Sequence, residues 1–273
     1  MSKQGSSLKD VLQNVFATSA ILIAFLISYY LYMQIMGDPA NFEGGNPKGS
    51  PIQGNYLGII YKGGYIVPIL MTCVLVLIIF IFERIITLAR AKGKGRLNTF
   101  VRKLQGLLAE DKIEEAMEVC DKQRGSLANV MKAGLERYRD LQNDKGLEKD
   151  QKILSIQKSF EEATALELPM LSRNMVIFST LASISVLIGL IGTVLGMIRA
   201  FAALAQAGAP DALALATGIS EALVNTAFGI TGSTLSIIAF NYFSTTIDSY
   251  TFKIDEAGFS LTQTFAASLK NKQ

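Results

Sequence analysis

Gly189-Leu190-Ile191-Gly192-Thr193-Val194-Leu195-Gly196 and Glu221-Ala222-Leu223-Val224-Asn225-Thr226-Ala227-Phe228-Gly229 decide the fold of this chain. Each stretch sits in a long apolar run. The first run has no Asp, Glu, Lys or Arg from Asn174 to Ile198, the second none from Ala222 to Ile247. A helix of about 20 residues crosses roughly 30 Å of hydrocarbon, so both runs are long enough to span a bilayer. Neither is uniformly Leu and Ile. Ser185, Gly189, Gly192 and Gly196 fall at i, i+4, i+7 and i+11, on one helical face. Thr193 borders that face, and Thr226, Gly229, Ser233 and Ser236 make a similar stripe on the second helix.

Two readings of these stripes stand side by side. Small residues let helices approach closely in lipid, which accounts for Gly189, Gly192, Gly196 and Gly229 as packing positions. The other reading is a polar lining toward a cavity or a partner helix. Glu221 adds weight to it, because a charge inside a membrane helix costs about 2.5–3.5 kcal/mol on insertion scales and marks a functional candidate. The turn between the helices is expected near Ala207-Gly208-Ala209-Pro210-Asp211. Folding the chain there sets Thr193 and Thr226 at one depth, and Arg199 and Glu221 at another, nearer the turn. An Arg199–Glu221 ion pair is therefore predicted; the alternative is two charges snorkelling separately to one interface.

Charge placement gives the topology. Uncharged runs at Val11–Gly37 and Gly63–Phe82 bring the number of candidate spans to four. Of 26 Lys and Arg residues, 18 lie in residues 84–173, where they alternate with 14 acidic residues as on a solvated helical surface. Positive residues favour the cytoplasmic side, so that segment is expected inside, together with both termini. The expected division is 1–37, a polar leader and membrane helix; 38–63, a periplasmic loop; 64–90, a membrane helix; 91–172, a cytoplasmic helical domain; 173–250, a membrane hairpin; and 251–273, a cytoplasmic tail. The fold class is an all-α integral membrane protein, four membrane helices whose long helices extend into a cytoplasmic helical domain.

Val11–Gly37 has too long an apolar core for a cleaved leader and no small-x-small site after it, so it reads as a retained, lipid-facing helix. Its Tyr29, Tyr30 and Tyr32 suit an interface belt. The proline- and glycine-rich 38–62 segment reads as a loop without a packed core. The span after it, with little polarity beyond Thr72 and Cys73, reads as a wall. In the charged segment, Leu97, Val101, Leu104 and Leu108 have helical spacing. Further helices are expected over 111–122 with Asp111 as N-cap and Gly125 as terminator, over 127–138, and over 149–167. The last is expected to run into the third span with a kink near Pro169, after a break at Asn143-Asp144-Lys145-Gly146. Beyond the fourth span a helix carries Ile254, Phe259, Leu261 and Phe265.

No nucleotide loop, metal cluster or nucleophile–base set is visible, and with no histidine a His-based triad or metal site is excluded. Neither a cofactor nor a catalytic activity is expected, and the net charge of +3 gives no reason to expect nucleic acid. Cys73 and Cys120 are expected as free thiols packed as small apolar groups.

Gly-Leu-Ile-Gly-Thr-Val-Leu-Gly, then Phe201, then Glu-Ala-Leu-Val-Asn-Thr-Ala-Phe-Gly and Asn241 resemble the ExbB/TolQ/MotA proton-channel family, most closely its ExbB and TolQ branch. Asp-Lys-Ile-Glu-Glu-Ala-Met-Glu-Val-Cys resembles the family's cytoplasmic hairpin. The resemblance implies an inner-membrane subunit forming a homo-pentamer around a dimer of ExbD-like single-span helices, each carrying an aspartate. It implies that Thr193 and Thr226 are pore threonines and Glu221 the helix-start glutamate of a proton pathway, with Asn225 adding polarity at pore depth. Proton flow would move the central dimer and drive a TonB-like protein that energises outer-membrane transport. TolQ-like envelope constriction, a MotA-like motility stator, a self-contained channel or transporter and a passive scaffold are the competing readings. This chain departs from the family at Val186 and Leu235, where prolines are common, and at Asn225, which replaces a small apolar residue.

Overall fold

The computed structural model describes residues 8–142, 146–205 and 212–271. Residues 1–7 of the expected leader 1–10, Asn143-Asp144-Lys145 of the expected break and the turn Ala207–Asp211 lie outside them. Nine α-helices are described: α1 Leu8–Tyr30, α2 Tyr56–Tyr61, α3 Ile66–Lys92, α4 Leu97–Ala109, α5 Ile113–Gln123, α6 Ser126–Gln142, α7 Lys149–Ser172, α8 Met175–Leu204 and α9 Ala212–Asn271. Among the described residues, four helical stretches are long and apolar enough to cross a membrane, beginning at Thr18, Ile66, Lys149 and Ala212. The chain is an all-α integral membrane protein. It divides into two compact units, residues 1–82 with 176–240, and residues 83–175 with 241–273.

In the first unit α1 exposes Leu22, Phe25, Leu26 and Tyr30, an apolar surface suited to lipid. Its six-residue continuation, Leu31–Met36, winds as a π-helical turn. Tyr32 departs from the interface-belt expectation: it is buried, and its hydroxyl donates to the Tyr61 carbonyl at 3.0 Å. The loop over 38–62 also corrects the sequence reading, since it has a small core of its own. Phe42 is 2% exposed, and buried Asn41 donates to the carbonyls of Ile35 and Met36 while accepting from Asn55. One side-chain amide satisfies two carbonyls at a helix end and a second holds it in place, which composition alone does not reveal.

The second unit is a helical bundle with an aromatic centre. Tyr138 of α6 stacks on Phe265 of α9 with centroids 4.3 Å apart, and Phe160 of α7 lies 6.4 Å from Phe265. Leu104, Met131, Leu135, Ile156 and Leu261 are all within 1% of full burial. Each such side chain contributes roughly 1.5–3 kcal/mol when removed from water. Phe259, expected on this face, points outward at 67% exposure. The other expected apolar positions of α9, Ile254 and Leu261, are inside.

Three boundaries differ from expectation. Lys112, not Asp111, is the N-cap of α5, because Asp111 itself takes the left-handed turn at φ 60°. Asp and Asn tolerate that conformation through local hydrogen bonds. Helix α6 runs past Tyr138 to Gln142 because Leu141 is still a core residue. The break before α8 falls at Arg173 and Asn174 (φ 63°), not at Pro169, which α7 passes through intact. Fully buried Arg84 fixes this: its Nη1 donates to the Leu171 carbonyl at 2.9 Å, satisfying an orphan acceptor of the last turn. The same guanidinium grips both Glu83 oxygens at 2.7 Å.

Candidate functional site

Helices α8 and α9 meet through glycine. A Cβ on Gly189 would lie 2.9 Å from the Asn225 carbonyl oxygen and 3.0 Å from the Gly229 Cα. One on Gly229 would lie 2.8 Å from the Ser185 carbonyl oxygen, and one on Gly196 2.8 Å from the Ala222 nitrogen. Real Cβ atoms do not approach backbone so closely, so these positions accept only glycine at this helix separation. Gly192 faces the Asn225 side chain, whose Nδ2 would lie 2.7 Å from an added Cβ. The glycine stripe is thus a packing seam within one chain, the arrangement small residues give helices in lipid.

That close approach brings two hydroxyls together. Thr193 and Thr226, both half-buried, are hydrogen-bonded side chain to side chain. Thr193 also reaches the Gly189 carbonyl at 3.1 Å and the Ala222 carbonyl at 3.4 Å, and Thr226 reaches the Ala222 carbonyl at 3.1 Å. Each hydroxyl has one proton and two lone pairs. The pair therefore shares two protons among more acceptors than it can serve, and it retains lone pairs for an outside donor. Small rotations about the side chains exchange the donors. Such a pair can accept from a carboxylic acid or donate to a carboxylate, but it does not itself titrate near neutrality.

Six residues from Thr193 along α8, about 9 Å of helix axis, Arg199 donates to the Glu221 carboxylate. Glu221 is buried, with its side chain 6% exposed, whereas that of Arg199 is 44% exposed. The Arg199 guanidinium lies 5.0 Å from the Tyr65 ring centroid. Arg199 and Glu221, with Asp211 outside the described residues, are the charged positions between Asn174 and Ile247. Asn225 is placed differently from the pore-lining position expected for it. It is fully buried, and its Nδ2 donates to the Gly63 carbonyl at 2.9 Å. It straps α9 to the end of the loop, because the neighbouring Gly192 leaves the room for its amide. The Gly63-Gly64-Tyr65 joint that receives Asn225, abuts Glu221 and underlies Arg199 carries no motif. The one available signal was the glycine pair just before an apolar run.

Residues 122–256 match the model of the MotA/TolQ/ExbB proton channel family. Over this stretch the chain carries the pattern of that family. Thr193, Arg199, Glu221 and Thr226 fall inside the matched stretch, and α1 through α3 fall before it. Among similar proteins, a putative biopolymer transport protein ExbB-like 3 from Synechocystis is 39% identical over 87 residues, 31% of this chain and 41% of the relative. The Tol-Pal system protein TolQ of Pseudomonas aeruginosa is 30% identical over 115 residues, 42% of this chain and 50% of the relative. The biopolymer transport protein ExbB of Pseudomonas putida is 28% identical over 161 residues, 57% of this chain and 48% of the relative. The chain spans half or less of the length of these relatives.

Proposed function

We propose that this chain is the ring-forming, ExbB-like subunit of an inner-membrane motor driven by the proton gradient. Five copies surround a dimer of ExbD-like single-span helices, and proton flow through the ring moves that dimer to energise a TonB-like protein and outer-membrane transport. Both termini and the charged bundle face the cytoplasm, and the 38–63 loop faces the periplasm.

The observation that carries this reading is the Thr193–Thr226 hydroxyl pair in an apolar hairpin that offers no carboxylate at the same depth. Hydroxyls relay protons only beside a group that takes them up and releases them. Glu221 is not free for that role, because Arg199 holds it in an ion pair about 8 Å along the helix axis. The titrating group therefore comes from a partner helix, and the threonines present a polar surface to it. The Arg199–Glu221 pair marks the outer rim of the pathway. Identity to a TolQ over 115 residues supports a second reading, in which the same ring drives envelope constriction instead of uptake. The driven partner differs between the two; the ring chemistry does not.

The test is proton flux into vesicles holding the purified protein with and without its single-span partner. Flux that requires the partner and falls about 10²-fold or more in Thr226→Val is expected, the scale of losing a positioned proton-transfer group. Flux from this chain alone would replace the reading with a self-contained channel. An intact oligomer with partner and no flux would leave a passive scaffold.

A further inference from the structure

The joint between α2 and α3, residues 61–65, touches its surroundings at successive positions. The Tyr61 carbonyl accepts from the Tyr32 hydroxyl, and the two rings stack with centroids 4.7 Å apart. Gly63 gives its carbonyl to the Asn225 amide at 2.9 Å. Gly64, at φ +75°, stands against the ion pair: a Cβ there would come within 3.1 Å of Glu221 Cδ and 3.5 Å of Arg199 Nη1. Tyr65 places its ring under the Arg199 guanidinium at 5.0 Å. The joint lies outside the stretch that matches the family, whereas Asn225, Glu221 and Arg199, which it touches, lie inside it.

The exposures of the pair say why such a joint matters. Glu221 is shut in, and its cation sits on a long side chain that is nearly half open to the surroundings. A free arginine of that length samples many rotamers, and each departure leaves a buried carboxylate without its counter-charge. An aromatic face on the far side narrows that freedom, since a guanidinium is held over a ring electrostatically. The Asn225 strap acts on the other half of the site. It ties the residue next to Thr226 to a fixed carbonyl, which sets the rotation of α9 that turns Thr226 toward Thr193.

We infer that residues 61–65 form a positioning clamp in which Tyr65 holds Arg199 over Glu221 and the Gly63 carbonyl, through Asn225, holds Thr226 toward Thr193. Tyr65 is a positioning residue and not a proton carrier. The functional side of the clamp rests on the proposed pathway; its contacts do not.

The experiment uses the full chain with its single-span partner in vesicles and compares wild type, Tyr65→Leu, Tyr65→Phe, Arg199→Gln and the Tyr65→Leu/Arg199→Gln double variant. Tyr65→Leu is expected to lower flux about two- to tenfold, the worth of a ring face to a partly exposed cation. Tyr65→Phe keeps the face but loses the hydroxyl that also bonds Arg199, so its rate is expected between those of Tyr65→Leu and wild type. In the Arg199→Gln background the Leu substitution adds no further loss, because groups acting through one contact are not additive. Tyr65→Leu at the wild-type rate, or losses that multiply in the double variant, overturn the clamp. The same cycle is run on thermal unfolding of the purified oligomer, where coupled shifts are expected and additive shifts overturn the proposal. A wild type without flux would remove the proposed function, while the unfolding cycle would still decide the clamp.

Discussion

Single residues here work by what they exclude as much as by what they offer. Thr226 needs a methyl-sized side chain and a hydroxyl. The hydroxyl meets Thr193 only because Gly189, Gly196 and Gly229 let the two backbones touch. Cys120 shows a different constraint. It is a free thiol, 2% exposed, and burial pushes it up to about 12, with the Asp121 charge adding to the rise and Lys132 opposing it. A raised acid stabilises the folded state only while both states keep the proton. Below the unfolded value of 9.0 the thiol is neutral in both, so its full contribution is present. Between about 9 and about 12 the unfolded chain ionises and the folded one does not, so stability falls as pH rises, by up to about 1.4 kcal/mol per unit. Melting of wild type and Cys120→Ala between pH 8 and 11 should show a steeper alkaline loss for wild type. Parallel slopes would rule the effect out.

At the scale of elements, a buried arginine, not a proline, ends a helix. Helix α7 absorbs Pro169 and stops at Ser172, where Arg84 takes the Leu171 carbonyl and Glu83 completes the fork. Thr87 adds a hydrogen bond to Glu83 at 2.8 Å, which holds the carboxylate in place from one turn farther along α3. Removing the arginine leaves a buried carbonyl without its donor and a half-buried carboxylate without its counter-charge. Arg84→Leu is therefore expected to cost about 3–5 kcal/mol, the range for breaking a buried pair by deleting one partner. Arg84→Lys should rescue little, since one ammonium cannot make the two parallel bonds and still reach Leu171. Thermal unfolding in detergent measures both variants, and a melting temperature unchanged in Arg84→Leu would refute the role.

For the whole molecule, the distribution of charge and apolar length sets the expected sidedness. With the 84–173 segment inside, a cysteine at Lys48 should react with an impermeant maleimide on spheroplasts, where the outer membrane no longer screens the periplasm. One at Arg102 should react only after the inner membrane is opened. The opposite pattern would invert the topology. The four spans, the charged helical bundle, the free cysteines and the order of the two glycine–threonine motifs are legible in the sequence, because hydropathy over about 20 residues and 3.6-residue periodicity are local properties. Depth matching of Thr193 with Thr226 and of Arg199 with Glu221 is legible too, since two antiparallel helices keep register by simple counting. Other features depended on contacts between residues far apart in the chain. Asn225 looked like pore polarity until the Gly63 carbonyl took its amide, 162 positions away. Tyr32 looked like a membrane anchor until Tyr61 covered it, and Pro169 looked like the kink until Arg84 capped a turn 87 positions away. Composition states how polar a side chain is. Only the tertiary structure decides which polar group it meets, because in an apolar interior that choice is made by whichever backbone carbonyl or charge the packing brings within hydrogen-bond distance.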